Sequence, residues 1–256
     1  MNGTVYLVGA GPGAPDLLTL RAARLLERAD IVFHDALVHP EVVALAVRAE
    51  KVAVGKRCGR HSVVQRFINR HLVNAARRHA VVVRLKGGDP MLFGRAQEEL
   101  DALAEAGVRF EVVPGVTAAL AASAQLGVSL TCRGVARSVA FVTPRIGEGE
   151  GDSDWARAAV SADSVAIYMG AGQARALVDA LVRAGRDAST PVVLVEGASL
   201  EGSRRISGDL RDLPTLAGGL GGGPAVILLG EVFARERAQI STRVPSSITR
   251  FAGMLK

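Results

Sequence analysis

The 256-residue sequence predicts an α/β protein made of two α/β domains. Three observations support this prediction. Short apolar runs alternate with segments of helical periodicity, as expected when strands are joined by crossover helices. These apolar runs form two successive sets along the chain. Glycine is abundant, at 29 residues, and several glycines follow an apolar run directly, which predicts tight turns at strand ends.

The first set contains five runs that are short enough to be buried strands. They are Val5–Val8, Ile31–Phe33, Val52–Val54, Val81–Leu85 and Phe110–Val113. After the first run, apolar residues recur at helical spacing from Leu18 to Ala29. After the third run, residues from Val64 to Leu72 show the same spacing, and Ser62 is the predicted N-cap. Strands that alternate with helices predict a largely parallel sheet.

The second set contains four further runs, with a helix predicted at residues 173–184. The runs are Val139–Thr143, Val165–Met169, Val192–Glu196 and Val226–Leu229. Polar residues 147–154 and glycine-rich residues 218–223 are expected to form loops. We therefore predict an N-terminal domain at residues 1–116, a C-terminal domain at residues 117–243 and a tail at residues 244–256.

Composition and charge argue against several functional classes. The net charge of +6 suits an acidic ligand, but Lys and Arg are scattered and aromatic residues make up only 4% of the chain, so no nucleic-acid partner is expected. No apolar run approaches the roughly 18 residues of a membrane span, and no signal-peptide pattern is visible. Cys58 and Cys132 lie far apart, which predicts a reduced, cytoplasmic protein. His34 and His39 do not have metal-ligand spacing, so no metal is expected.

The first candidate ligand motif is the segment Val5–Asp16, a strand followed by a glycine-rich turn and the predicted start of a helix. Such a turn lets backbone amides approach a ligand. Asp35 follows the next strand, at the distance expected for an acid that binds a ribose. A dinucleotide site is therefore one interpretation. However, Gly9, Gly11 and Gly13 do not have the G-x-G-x-x-G spacing of such sites, and the glycines are also compatible with a tight turn alone.

The second candidate motif is Arg84–Arg95, which reads Arg-Leu-Lys-Gly-Gly-Asp-Pro-Met-Leu-Phe-Gly-Arg. It follows a predicted strand and precedes a helix predicted to begin near Gly94. Lys86, Asp89 and Arg95 place three charges beside an otherwise apolar run. Because α/β proteins bind ligands at the carboxyl ends of their strands, this loop is predicted to bind a ligand, although the motif alone indicates no reaction.

Six motifs in one order resemble those of the tetrapyrrole methylase family, and they extend over nearly the whole chain, from about residue 5 to residue 232. They are Gly9–Gly13, His34–Val38, Val54–Arg57, Arg84–Arg95, Val113–Ala118 and Tyr168–Gly170. Gly55-Lys56-Arg57 together with the Arg84 motif is similar to the branch that acts on uroporphyrinogen III. The chain departs from the family at two places: Thr131-Cys132-Arg133 replaces Thr-His-Arg, and Thr143-Pro144-Arg145 replaces Thr-Gly-His.

This resemblance implies a fold with a cofactor cleft between the two α/β domains. It implies that S-adenosylmethionine is the cofactor and that S-adenosylhomocysteine is its product. The residues that match the family's cofactor contacts are Pro12, Gly87, Gly88, Asp89, Leu92, Thr117, Ala118, Met169 and Ala198. The cofactor carries no phosphate, so backbone polar groups and an apolar slot for adenine are suitable partners.

The resemblance also implies an enzyme that adds two methyl groups to uroporphyrinogen III and forms precorrin-2, on the way to sirohaem or cobalamin. Asp35 matches the family's proton acceptor and Lys56 its proton donor. Arg57, Arg95 and Arg133 are candidate partners for the substrate's carboxylates, because a guanidinium fork matches a carboxylate. For Arg57 and Arg133 a solvated surface charge is an equal alternative. Related enzymes are homodimers, so a homodimer is expected.

Three other functions remain compatible with parts of the sequence. The same fold could act on another corrin-pathway intermediate, or on an RNA or protein target as in distant relatives. A dinucleotide-dependent oxidoreductase is permitted by the first 35 residues, although the glycine spacing does not favour it. The third alternative is a nucleotide-binding module without catalytic activity.

Overall fold

The computed structural model describes residues 3–54, 61–147 and 153–236, and it arranges them around two five-stranded sheets. The first sheet has the strand order β3-β2-β4-β1-β5, and every neighbouring pair in it is parallel, as the sequence predicts. Its strands are β1 (Thr4–Gly9), β2 (Ile31–His34), β3 (Glu50–Ala53), β4 (Val81–Lys86) and β5 (Arg109–Val113).

Helices cover both faces of this first sheet, which is why its central strands are apolar on both sides. One face packs against α1 and α2 and the other against α3 and α4. These helices are α1 (Leu20–Arg28), α2 (Pro40–Ala44), α3 (His61–Ala76) and α4 (Ala96–Glu105). The side chain of Thr19 caps α1 by accepting the N–H of Ala22 at 3.2 Å.

The second sheet is mixed, with the order β6-β7-β10-β8-β9. The pair β6 and β7 is parallel, whereas β10 is antiparallel to both β7 and β8, and β9 is antiparallel to β8. Helices α6, α7 and α8 pack on one face and α5 on the other. The elements are α5 (Ala118–Leu126), β6 (Val139–Val142), α6 (Trp155–Ser161), β7 (Ser164–Tyr168), α7 (Ala174–Arg183), β8 (Pro191–Glu196), β9 (Arg204–Asp209), α8 (Leu213–Gly218) and β10 (Ala225–Leu229).

Three details differ from the sequence-based expectations. Strand β9 was not predicted, because its sequence Arg-Arg-Ile-Ser-Gly-Asp lies at a sheet edge and lacks an apolar run. Ser62 is not an N-cap, since α3 already begins at His61. Helix α4 begins at Ala96 rather than near Gly94, because Arg95 adopts a left-handed conformation with φ 54°.

Helix α5 packs on the second sheet from Ala119 onward. The division of the chain after residue 116 stays a prediction, and the predicted tail at residues 244–256 lies outside the described residues. Among the described residues, the structure contains no helix with the length and hydropathy needed to span a bilayer.

Candidate functional site

The loops at the carboxyl end of the first sheet are joined through their backbones. The N–H of Gly11, after β1, donates to the carbonyl of Gly88, after β4, at 3.2 Å, and Gly88 donates back to Gly11 at 2.7 Å. The adjacent N–H of Ala10 donates to Lys86 at 2.7 Å. Because the strands are parallel, loops distant in sequence emerge side by side, and these bonds fix the first and second motifs against each other.

Three glycines allow this close approach. A Cβ atom on Gly9 would lie 2.6 Å from the Cα of Gly115, which follows β5, and 2.8 Å from the carbonyl oxygen of Gly88. Real side chains do not approach so closely, so only glycine fits at this junction. Gly88 itself has φ +67°, a left-handed conformation that glycine adopts without strain.

The side chain of Asp89 ties the loop after β4 to the loop after β5. Its Oδ2 accepts the N–H of Gly115 at 2.9 Å, and its Oδ1 accepts the N–H of Met91 at 2.8 Å. Both carboxylate oxygens therefore already hold backbone amides of the site. The structure gives Asp89 a clear role in loop geometry, while the contact with a cofactor that the sequence assigns to it stays a prediction.

Tyr168, the last residue of β7, links the two sheets. Its hydroxyl lies 2.7 Å from Oγ1 of Thr117 and accepts the N–H of Ala119 at 3.1 Å. Its ring packs against Phe93 with a centroid distance of 5.2 Å. Burial raises the pKa of the Tyr168 phenol, so the hydroxyl stays protonated and available as a donor. The loops after β4, β5 and β7 consequently meet at this one side chain.

A second contact between the sheets involves the loop after β8. Oγ of Ser199 accepts the N–H of Ala14 at 3.0 Å, and the N–H of Ser199 donates to Oε1 of Gln125 at 3.1 Å. A Cβ on Gly13 would lie 2.7 Å from the side chain of Leu200. The loop after β1 thus packs closely on the loop that contains Ala198.

Backbone strain is concentrated in the same loops. Within the described parts of the chain, four residues other than glycine have positive φ: Phe93 (52°), Arg95 (54°), Met169 (57°) and Ser199 (72°). Phe93 and Arg95 lie in the segment between β4 and α4, Met169 directly follows β7, and Ser199 lies in the loop after β8. Such conformations cost of order 1–3 kcal/mol each and are typical of ligand-binding sites.

The structure brings the predicted cofactor residues into one region. Gly88 lies beside Thr117, since a Cβ on Gly88 would stand 3.9 Å from the Cα of Thr117. Thr117 contacts Tyr168, which precedes Met169. Met169 is 42% exposed, whereas Ala198 is buried at 5%. The other predicted cofactor residues lie half-buried on these same loops; they are Pro12, Gly87, Leu92 and Ala118.

Asp35, the predicted proton acceptor, lies at the open end of a buried network of charges. Nη2 of Arg84 donates to Oδ1 of Asp35 at 2.5 Å, and Nε of Arg84 donates to Oε1 of Glu99 at 3.1 Å. Nζ of Lys86 donates to the same Oε1 at 3.0 Å. Burial, followed by the charge of Arg84, lowers the pKa of Lys86. Burial by itself would lower the pKa of the Arg84 guanidinium. The negative charges of Glu99 and Asp35 outweigh this effect, so the pKa is raised.

The candidate substrate residues are less closely grouped. Arg95 precedes α4 and forms a two-point ion pair with Glu98 in the first turn of that helix, at 2.7 and 2.8 Å. Arg133 is exposed in the turn between Cys132 and Ala136, shortly before β6, and its part in a site stays a prediction. Lys56 and Arg57 lie outside the described residues.

Several residues in the region were not assigned a role from the sequence, among them Glu99, Ser199, Gln125 and Arg145. Glu99 has a recognisable signal, because it lies on the apolar face of α4 with Ala96, Leu100 and Leu103 and must pair once buried. Ser199 and Gln125 have no comparable signal. Arg145, one of the two departures from the family pattern, places its Nη1 3.9 Å from Sδ of Met169.

Comparison with known proteins agrees with this geometry. The family model for tetrapyrrole (corrin/porphyrin) methylases matches residues 4–214. The chain belongs to the tetrapyrrole methylase family. It is 50% identical over 232 residues to the siroheme synthase of Chromobacterium violaceum, and the match covers 90% of this chain and 49% of that protein. The siroheme synthase of Pseudomonas putida is 47% identical over 233 residues. The chain therefore spans about half the length of these curated relatives.

Solved structures give a full-length match. The uroporphyrin-III C-methyltransferase of Thermus thermophilus, complexed with S-adenosylhomocysteine, has a TM-score of 0.78 and 44% identity, covering 91% of this chain and all of that one. A cobalt precorrin-4 methyltransferase of cobalamin biosynthesis has the same TM-score at 28% identity, covering 90% of this chain and 95% of that one. The two-domain α/β fold predicted from the sequence is confirmed as that of this family.

Proposed function

We propose that this tetrapyrrole methylase transfers two methyl groups from S-adenosylmethionine to uroporphyrinogen III and forms precorrin-2. The observation that carries the proposal is the convergence of glycine-rich and strained loops from both sheets around Gly88, Thr117 and Met169. Its strongest support among relatives is a uroporphyrin-III C-methyltransferase of the same fold, complexed with S-adenosylhomocysteine, which matches along its entire length.

The residues at the loop junction suit S-adenosylmethionine. Gly88 lies against Thr117, since a Cβ on Gly88 would meet the Cα of Thr117 at 3.9 Å, so the loops after β4 and β5 can contact one ligand together. Met169 and Leu92 offer apolar surface to an adenine, and the strand-end loops offer backbone polar groups to the ribose and the amino-acid part. When bound, the cofactor supplies an electrophilic methyl group on its sulfur. We propose that the nine residues predicted from the sequence form this site.

Asp35 is the proposed proton acceptor. Its side chain is 30% exposed, and Oδ1 is held by Arg84. In the described chain, the second oxygen, Oδ2, has no hydrogen bond and is available to accept a proton from the macrocycle when a ring carbon is methylated. We propose Lys56 as the proton donor and Arg57, Arg95 and Arg133 as partners of the substrate's carboxylates.

A two-part experiment tests the proposal. S-adenosylhomocysteine should raise the melting temperature, because a ligand that binds only the folded state stabilises it, by about 2.7 kcal/mol at a hundred times its Kd. NAD should not. Incubation with uroporphyrinogen III and methyl-labelled S-adenosylmethionine should then give two labels per product. Stabilisation by NAD alone would favour the oxidoreductase alternative, and a lack of label with both ligands present would contradict the proposed reaction.

Asp35→Asn separates the two interpretations of that residue. If Asp35 accepts a proton, the folded variant should bind S-adenosylhomocysteine normally in calorimetry but transfer methyl groups about a hundredfold more slowly. If Asp35 binds the ribose, the affinity should fall instead. Unchanged affinity and turnover would leave Asp35 with a structural role only.

Another corrin-pathway intermediate is the second candidate substrate, because a cobalt precorrin-4 methyltransferase shares the fold at a TM-score of 0.78. Its lower identity, 28% against 44%, favours uroporphyrinogen III. The labelling experiment decides between them when both substrates are offered separately. Methyl transfer to precorrin-4 and none to uroporphyrinogen III would support the second candidate.

We further propose that the protein acts as a homodimer in the cytoplasm. Among the described residues, Cys132 is a free and exposed thiol, which is typical of a reducing compartment. Light scattering after size exclusion tests the oligomeric state, and a mass of one chain, 26.7 kDa, would contradict it.

A further inference from the structure

Arg84 is an arginine in the middle of a parallel sheet. Its side chain is only 2% exposed, and it lies on β4 between β1 and β2. The guanidinium donates in three directions: to Oε1 of Glu99 at 3.1 Å, to the carbonyl of Leu85 at 3.2 Å and to Oδ1 of Asp35 at 2.5 Å. Because the planar guanidinium is bonded to three acceptors, it has little freedom to rotate.

Glu99 is the anchor that fixes this fork. Its side chain is fully buried, and its Oε1 accepts from Arg84, from Lys86 at 3.0 Å and from Nε2 of Gln65 at 3.2 Å. A buried carboxylate between two cations cannot leave its partners without a large electrostatic cost. Glu99, which is itself held by Lys86, thereby fixes the guanidinium from the side that faces α4.

The charge network is buried at Glu99 and reaches solvent at Asp35. The side chains of Arg84, Lys86 and Glu99 are 0–4% exposed, whereas that of Asp35 is 30% exposed. Asp35 lies just beyond β2, and Leu37 in the same loop would meet a Cβ on Gly87 at 3.3 Å, so this loop borders the proposed cofactor site. A purely structural ion pair needs no exposed member, but a group that meets a substrate does.

We propose that Arg84 is a positioning residue for Asp35. By holding Oδ1, it turns Oδ2 toward the site, and the Glu99–Lys86 pair keeps Arg84 in place. The inference rests on the proposed function, since Asp35 has to be the proton acceptor for its orientation to matter. On this proposal, Arg84, Lys86 and Glu99 contribute to turnover and not to affinity for the cofactor.

The test is a double-mutant cycle of Arg84→Lys and Asp35→Asn, measured by single-turnover methyl transfer to uroporphyrinogen III. Lysine keeps the positive charge, but its single ammonium cannot bond both Glu99 and Asp35 as the planar guanidinium does. In the wild-type background we expect a turnover loss of about tenfold or more, since small misplacements of a reacting group cost rates of this size. KM for uroporphyrinogen III and affinity for S-adenosylhomocysteine should change by less than about twofold. In the Asp35→Asn background, Arg84→Lys should cost almost nothing further.

The matched control is Arg186→Lys, which changes a partly buried arginine of the second sheet that bonds the carbonyls of Ala159 and Ala162. It should leave turnover unchanged. If Arg84→Lys fails to fold, the pair Arg84→Gln with Glu99→Gln removes one charge of each sign and should show the same loss. A folded variant with wild-type turnover, or equal losses in both backgrounds, would overturn the inference while the proposed function stands. Absence of methyl transfer by the wild-type protein would instead remove the proposed function.

Discussion

The two sheets contribute to the site in different ways. In the first sheet all strands run in one direction, so the loops after β1, β4 and β5 emerge together and pack backbone to backbone at Gly9, Gly88 and Gly115. In the second sheet the strands run in both directions, and its loops reach the first sheet through side chains, mainly Tyr168 and Ser199. Glycine substitutions should therefore disturb one half of the site and side-chain deletions the other.

Charged groups follow the same division. The first sheet buries Arg84, Lys86 and Glu99 as a network beneath the site. In the second sheet, carboxylates hold backbone amides at turns, as when Glu196 accepts the N–H groups of Gly221 at 2.8 Å and Gly223 at 2.6 Å. The buried charges of the first sheet are therefore linked to the site, whereas Glu196 of the second sheet stabilises local backbone.

The largest effect is expected from Gly9→Ala. The new Cβ would lie 2.6 Å from the Cα of Gly115, so the backbone junction has to separate. We expect a loss of about 1–3 kcal/mol in the free energy of unfolding, measured in urea, together with weaker binding of S-adenosylhomocysteine. Gly218→Ala is the control, because nothing lies within 4 Å of a Cβ there. Equal stability of the two variants would show that the close junction is not required.

A smaller effect is expected from Tyr168→Phe, which removes the hydrogen bonds to the start of α5 and keeps the ring that packs on Phe93. The hydroxyl of Thr117 and the N–H of Ala119 lose their partner, which should cost about 0.5–1.5 kcal/mol of stability. Affinity for S-adenosylhomocysteine should fall because Thr117 and Met169 are no longer aligned. Tyr6→Phe is a matched control, since the hydroxyl of Tyr6 has no hydrogen bond within the described chain. An unchanged affinity for Tyr168→Phe would show that the sheets align without this bond.

The difference between the sheets also explains what the sequence could predict. All five strands of the first sheet were predicted, because each overlaps a short apolar run and the loops after β1 and β4 carry glycine motifs. Strand β9 was not, since an edge strand rich in arginine has no such pattern. The neighbours of Tyr168 and Ser199 come from residues 49 to 185 positions away, and no local pattern encodes those contacts. Glu99 was predictable in principle as a carboxylate on an apolar helix face.

The smallest effect is expected from Asp163→Asn, which tests a surface carboxylate of the second sheet. Asp163 accepts the N–H groups of Arg137 and Ser138 at 2.8 and 2.9 Å, and these bonds lower its pKa. Because the folded pKa lies below the unfolded value of about 3.9, the stabilisation is complete above that value and is lost as the pH falls through the folded pKa.

Urea unfolding at a series of pH values checks this prediction. The difference in unfolding free energy between wild type and Asp163→Asn should be largest near pH 7 and should shrink in acid. Methyl transfer at pH 7 should be unaffected in the variant. A difference that stays constant down to the acid range would show that the charge of Asp163 does not contribute. Asp179→Asn, an exposed residue of α7, provides the baseline.

The reciprocal bonds between Gly11 and Gly88 affect which ligands the first loop can hold. Along this loop the N–H of Ala10 is bonded to Lys86, that of Gly11 to Gly88 and that of Ala14 to Ser199, while Pro12 has none. Loops that hold a diphosphate do so with several free amides pointing at the anion. A glycine-rich turn in which these three amides are already bonded within the protein has few left for a phosphate, which disfavours a dinucleotide at this loop.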